Sequence, residues 1–183
     1  MQPHILIDEK WLGLILNRLC HQLIENHEQF ENTVILGLQP RGVFLAEKIV
    51  EKLSQIQPKC LIQYGVIDPT FYRDDFRIPG KQLIAQPTSI PVSLDNKRVV
   101  LVDDVLYTGR TIRAGLECMM EHGRPSNVEL LVLIDRRFSR ELPIEPNYIG
   151  KSVDSYDDQK VKVMWKKDGG KADQVLLVKD TGK

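Results

Sequence analysis

No hydrophobic run in this sequence approaches the length of a membrane span, and its first residues lack the basic, apolar, small-residue order of a secretory signal. A membrane role is therefore not expected. Cysteine is scarce: Cys20, Cys60 and Cys118 are odd in number, widely separated and never in a C-x-x-C pair. That argues against a disulfide framework or a zinc site and for reduced thiols in a cytoplasmic setting. An excess of charge of one sign is missing as well, since 25 Lys and Arg stand against 25 Asp and Glu. No global field draws such a chain to nucleic acid, and any contact of that kind must come from a local patch. Internal repeats and low-complexity tracts are also absent. What remains is an ordinary globular composition, 42% hydrophobic and 27% charged over 183 residues, enough for one domain (1–183) with a sizeable core.

The sequence is organised around residues 99–111. Val99-Val100-Leu101-Val102 is an unbroken apolar run of the kind a parallel strand shows when both its faces are covered. It gives way to Asp103-Asp104, then to Val105-Leu106-Tyr107-Thr108-Gly109-Arg110-Thr111, then to a helical pattern in Ile112, Leu116, Met119 and Met120. The end of such a strand is where open α/β sheets bind ligands. The loop offers successive backbone N–H groups, two hydroxyls (Thr108, Thr111), a Gly109 that lets the backbone approach closely, and a helix N-terminus. Together these make a cradle suited to a phosphate monoester. Two carboxylates facing that anion would repel it. Asp103 and Asp104 make sense as acceptors for sugar hydroxyls or as groups acting on a magnesium hydration shell. The competing reading is an ordinary strand-loop-helix with surface acids.

Upstream, Ile5-Leu6-Ile7 predicts a short extended entry and Asp8 an N-cap. Trp11, Leu12, Ile15, Leu16, Leu19, Leu23 and Ile24 then carry the apolar face of a helix to about His27. Asn17, Arg18 and His21 share its other face, and spacing alone favours a solvated surface there. Val34-Ile35-Leu36-Gly37-Leu38 is a second buried strand, followed by Gln39-Pro40-Arg41-Gly42 and a helix through Leu53. Arg41 supplies a forked cation that matches phosphate oxygens, Gly42 removes a Cβ where a ligand approaches, and Pro40 removes a backbone donor. Residues 60–67 predict a third strand, with Tyr72 and Arg73 soon after it. Residues 76–91 are polar, proline-punctuated and without helical period. A loop of that length in a compact domain is expected to be a flexible lid, the alternative being a plain surface loop.

Beyond the central stretch, the helix is expected to run to His122-Gly123, with Gly123 a suitable residue just past its end. Residues 128–134 form the next buried strand, which ends in Asp135-Arg136-Arg137, an acid and cations again at the ligand rim. Residues 160–165 and 174–178 alternate better than the earlier strands, and Asp168-Gly169-Gly170 between them predicts a hairpin. These C-terminal strands are assigned to a small accessory subdomain spanning 150–183.

Residues 103–111 resemble the phosphoribosyl-pyrophosphate motif of type I phosphoribosyltransferases. The wider set is similar to the bifunctional pyrimidine-operon attenuator/uracil phosphoribosyltransferase family: Tyr72-Arg73-Asp74-Asp75, Gly123-Arg124-Pro125, Arg140-Glu141-Leu142-Pro143-Ile144 and Tyr148-Ile149-Gly150-Lys151, in that order. The resemblance covers nearly the whole chain. It implies an α/β fold with a central, mostly parallel sheet flanked by helices, a flexible active-site loop and an accessory hood. It also implies that Asp103 and Asp104 hold the ribose, Val105 to Thr111 the 5′-phosphate, and Arg41 and Arg73 the pyrophosphate side, with Gly42 beside Arg41 on the pyrophosphate-binding loop and Pro40 there departing from the threonine usual in the family. Arg136 would lie at the nucleotide or pyrophosphate rim and Val153 near the base.

The implied substrates are phosphoribosyl pyrophosphate and a nucleobase, uracil rather than a purine. Mg²⁺ would be held by substrate oxygens and water rather than by direct protein ligands, with Asp103 and Asp104 reached through water. Self-association is implied too. The family also binds leader messenger RNA, which points to Asn17, Arg18, His21 and Arg140. Here the pattern departs: residues 135–140 replace a shorter Asp-Arg-Gly-His-Arg segment, and Glu145 stands where an arginine is usual. An anion in place of a phosphate-facing cation weakens RNA binding, so the sequence favours the enzyme over the regulator.

Overall fold

The structure is a computed structural model that describes residues 3–77, 84–154 and 159–179. Its first strand, β1 (His4–Ile7), leads into helix α1 (Glu9–His27), which Asp8 starts by accepting the Trp11 N–H at 2.8 Å. Then follow β2 (Thr33–Leu38), α2 (Gly42–Ile56), β3 (Gln63–Ile67), β4 (Arg98–Leu106), α3 (Arg110–Met120), β5 (Asn127–Arg137) and β6 (Tyr148–Asp154). The five strands β2 to β6 pair in the order β3-β2-β4-β5-β6, every pairing parallel. β7 (Gln159–Met164) and β8 (Gln174–Lys179) form the expected hairpin and, with β1, a separate antiparallel sheet in the order β1-β8-β7.

The alternation of a strand sorts the core into two layers. Ile35, Val100, Val102, Leu131 and Leu133 pack with Leu12, Leu16 and Leu19 of α1 and Leu45, Ala46 and Ile49 of α2. Their neighbours Val34, Leu36, Leu101, Leu130 and Val132 pack instead with Ile112 and Met119 of α3. Cys20 and Cys118 belong to these cores, one to each. Because β4 runs unbroken through Asp103 and Asp104, the pleat sends these neighbours toward opposite faces of the sheet. At the other end of the sheet a buried polar network ties α1 to three strands. His27 lies 3.0 Å from both Thr33 Oγ1 and Glu129 Oε2, and Tyr148 donates to Glu129 Oε2 at 2.6 Å.

Four boundaries differ from the sequence reading. The accessory unit does not begin at residue 150, because β6 belongs to the main sheet: Gly150 lies so close to β5 that an added Cβ would stand 2.4 Å from Leu133 O. The accessory sheet instead gains β1, from the far end of the sequence. β3 starts at Gln63 rather than at residue 60, and α3 ends at Met120, with Glu121 and His122 turning back on Cys118 O and Met119 O. Part of the lid segment, residues 78–83, lies outside the described residues. Its later arm returns along β3, where Val66 and Ser89 exchange backbone hydrogen bonds at 2.9 Å.

Candidate active site

The loop after β4 is built as the sequence requires. Gly109 takes φ 91°, a conformation costly for any residue with a side chain, and so turns the chain into α3. Its carbonyl accepts the Arg113 N–H at 3.0 Å, closing the first helical turn. The loop is braced from below by residues 141–144: Thr108 O accepts from Glu141 N–H (3.0 Å) and Leu142 N–H (3.2 Å). Arg110 is held by Asp74 at 2.8 Å and Glu141 at 2.6 Å, so its charge faces those acids at the outer edge of the loop. Val105, Leu106, Tyr107, Thr108, Gly109, Arg110 and Thr111 together with Arg73, Asp74, Asp75, Asp103 and Ile112 line a cleft of about 340 Å³. Arg73 reaches it as a fork bound to Asp75 by two hydrogen bonds of 2.8 and 2.9 Å.

The acidic pair is split between two hollows. Asp103 lines the cleft formed with the 105–111 loop, while Asp104 lines a second groove of about 500 Å³ with Arg41, Val105, residues 160–163, Val178 and Lys179. Both carboxylates are enclosed, at 8% and 7% exposure. Burial pushes the Asp103 carboxyl well above the usual carboxylate range, and the Asp104 charge adds to that push. The Asp104 N–H, donated to Asp103 Oδ1 at 2.9 Å, and the charges of Arg73 and Arg41 work against it. Burial raises Asp104 as well, opposed by the charge and hydrogen bond of Arg41. Two carboxyl groups that resist ionisation at a strand end, close to cations, are a common mark of a functional site.

Arg41 precedes α2 and reaches across to the hairpin sheet. Its Nε donates to Asp104 Oδ2 and a terminal nitrogen to Asp168 Oδ2, each at 3.0 Å, and its other terminal nitrogen donates to Val163 O. Gly42 beside it is needed for a reason other than ligand approach. A Cβ there would stand 2.3 Å from Val102 O and 2.9 Å from Asp103 Cα, so it is the backbone of β4 that comes close. Pro40, in a cis bond after Gln39, is exposed on the same loop.

Other residues singled out by the sequence fall into different surroundings. Arg136 is buried, donates to Gln159 O at 3.0 Å and stacks 4.0 Å from the ring centre of Tyr107, which brings it to the loop after β4. Val153 is buried in the core beside α1 and α2. Arg140 turns inward, donating to Tyr107 O and Asp135, and so braces the loop rather than presenting a free cation. Arg18 donates to Ile149 O (3.0 Å) and Gly150 O (2.6 Å) on β6, Asn17 accepts from Lys52 at 2.8 Å, and His21 is exposed. Sequence reasoning passed over Asp74, Asp75 and Asp168, which hold Arg110, Arg73 and Arg41. The first two were visible inside the Tyr72–Asp75 motif, whereas Asp168 gave only a turn signal.

The phosphoribosyl transferase domain family model matches residues 8–166. The bifunctional protein PyrR of Bacillus cereus is 38% identical over 161 residues, 87% of this chain and 88% of that protein, and PyrR of Bacillus thuringiensis matches to the same extent. Among solved structures, a hypoxanthine phosphoribosyltransferase from Staphylococcus aureus aligns with a TM-score of 0.66 at 20% identity, covering 86% of this chain and 80% of that one. The hypoxanthine phosphoribosyltransferase of Trypanosoma cruzi aligns with a TM-score of 0.72 at 12% identity, covering 96% and 95%. At such identities the two structures show the fold alone.

Proposed function

Because the chain belongs to the phosphoribosyl transferase domain family, among the bifunctional PyrR proteins, we propose that it joins uracil to phosphoribosyl pyrophosphate, giving UMP and pyrophosphate. One observation carries the reading: the end of β4 brings a buried carboxylate, Asp103, into the same cleft as the small-residue loop at the N-terminus of α3. The loop from Val105 to Thr111 would take the 5′-phosphate on backbone N–H groups and hydroxyls. Asp103 and Asp104 would accept hydrogen bonds from the ribose hydroxyls, one from each side of the strand. Arg41 and Arg73 would face the pyrophosphate.

In the reaction the bond from the anomeric carbon to the pyrophosphate oxygen breaks and a bond to the base nitrogen forms. Charge builds on the leaving group and a cation-like ribose develops. Fixed cations, backbone donors and carboxylates at those places stabilise that charge without moving, so positioning and electrostatics supply most of the rate. Asp104 is the carboxylate assigned to assist. Magnesium fits the donor set, since two carboxyl groups, Asp103 in the cleft and Asp104 in the groove that shares Val105 with it, suit an ion that keeps most of its water. When bound it would neutralise pyrophosphate oxygens. Self-association and a cytoplasmic setting belong to the same reading. Among the described residues, no helix is long and apolar enough to cross a membrane.

Pyrophosphate release with Mg²⁺, phosphoribosyl pyrophosphate and, in parallel, uracil, hypoxanthine and guanine tests the base. Turnover with uracil is expected, and turnover with a purine alone would replace uracil by that purine. A second role in binding leader RNA is favoured by the bifunctional relatives. With Arg18, though exposed, tied to the β6 carbonyls and Arg140 paired with Asp135, the expected affinity is weak, about micromolar at best near physiological salt. Nanomolar binding in a filter or gel-shift titration would contradict that.

A further inference from the structure

Arg41 brings one guanidinium to three acceptors of its own chain, and two of them, Asp168 and the Val163 carbonyl, belong to the hairpin unit rather than to the main sheet. Asp168 stands on a firmly held turn. The N–H groups of Asp168 and Gly170 both donate to Trp165 O, at 3.1 and 2.8 Å, and the Trp165 side chain is fully buried. Asp173 closes the turn by accepting the Lys166 N–H at 2.7 Å and anchors it to α2 by pairing with Lys48 at 2.7 Å. A Cβ on Gly170 would stand 2.7 Å from Trp165 O, so the tightness of the turn requires that glycine.

We propose that Asp168 is a positioning residue for Arg41, competing with the pyrophosphate group of the substrate for the guanidinium and giving way when that group binds. The proposal rests on the reading of Arg41 as a pyrophosphate-side cation. A guanidinium carries five N–H groups, three of them engaged here, and a pyrophosphate drawn to the remaining two meets in Asp168 an anion already paired with the same cation, so the two anions compete for it. The three partners differ in what their release entails. Asp104 is buried, and without Arg41 it would keep a charge or take a proton in a closed site. Val163 O lies on the strand β7. The Asp168 side chain is 46% exposed, so water readily replaces the arginine there. Asp168 is the partner that yields, while Arg41 remains on Asp104 and turns its free edge to the anion. The carboxylate then returns as pyrophosphate leaves.

Calorimetric titration with inorganic pyrophosphate in the presence of Mg²⁺ tests this. Asp168→Asn keeps the size and removes the charge. It should bind pyrophosphate about two- to five-fold more tightly, the range an exposed ion pair supplies, and lower KM for phosphoribosyl pyrophosphate similarly without raising kcat. Lys167→Gln breaks the 2.6 Å pair with Glu47 that also ties this turn to α2, but leaves Arg41 alone, and should not change the affinity. Equal tightening in both variants would mean a looser hairpin rather than a freed arginine and would overturn the proposal, as would unchanged or weaker binding in Asp168→Asn. Arg41→Gln separates the two levels. If it fails to weaken pyrophosphate binding, the reading of Arg41 itself is lost; if it weakens binding while Asp168→Asn tightens nothing, only the role of Asp168 is lost.

Discussion

Asp103 shows how a candidate site residue can work against the fold that carries it. Burial and the neighbouring Asp104 charge raise its carboxyl in the folded protein. The folded state therefore holds that proton more tightly than the unfolded chain, and stability falls as pH rises from the unfolded value, about 4, through the raised one. Asp103→Asn removes the ionisation and should be more stable than the wild type at pH 8, by about 1–2 kcal/mol, with the gap closing toward pH 4. Urea unfolding at the two pH values checks this; a variant less stable than the wild type at pH 8 would contradict it. The placement of Asp103 and Asp104 at a strand end before a loop was legible because the signal is local, within thirteen consecutive positions. Arg18 and Arg140 were not. Which partners an arginine takes up depends on acceptors supplied from elsewhere, for Arg18 the carbonyls of residues 149 and 150, more than a hundred positions away.

At the scale of elements, the site depends on how closely α2 and β4 approach. Gly42 has no Cβ where one would stand 2.3 Å from Val102 O, and that contact places the first turn of α2 directly against the backbone at Asp103. Gly42→Ala should therefore push helix and strand apart, costing about 1–3 kcal/mol as an overpacked contact does. The urea midpoint should fall with little change in slope, and pyrophosphate affinity should drop with it because Arg41 moves too. An alanine variant with the wild-type midpoint would show that the helix yields freely. The buried strands β2, β4 and β5 were legible from unbroken apolar runs, and α1 from its repeat and the Asp8 cap. β6 was harder to assign because its burial pattern is broken by exposed Lys151 and Ser152, which resembles the half-exposed strands of the hairpin sheet. What places it in the main sheet is Gly150 against β5, a contact between segments that no local pattern encodes.

The whole molecule joins two sheets around one strand end. The five-stranded parallel sheet supplies Asp103, Asp104 and the loop into α3, and the three-stranded sheet, built from both ends of the chain, meets it through Arg41. That junction was the least legible feature, since β1 and β8 lie about 170 positions apart in sequence and their pairing follows from tertiary packing alone. The family resemblance anticipated a hood but not that its turn would hold the arginine of the opposite loop. If the end of β4 is where phosphoribosyl pyrophosphate reacts, removing both charges there must stop chemistry without unfolding the protein. The most direct test is uracil-dependent pyrophosphate release by the wild type and by the Asp103→Asn/Asp104→Asn double variant, with thermal melts of both. Turnover by the wild type and a loss of about a hundredfold or more in a variant that still melts cooperatively are predicted. Equal rates in the two proteins would contradict the assignment of the site.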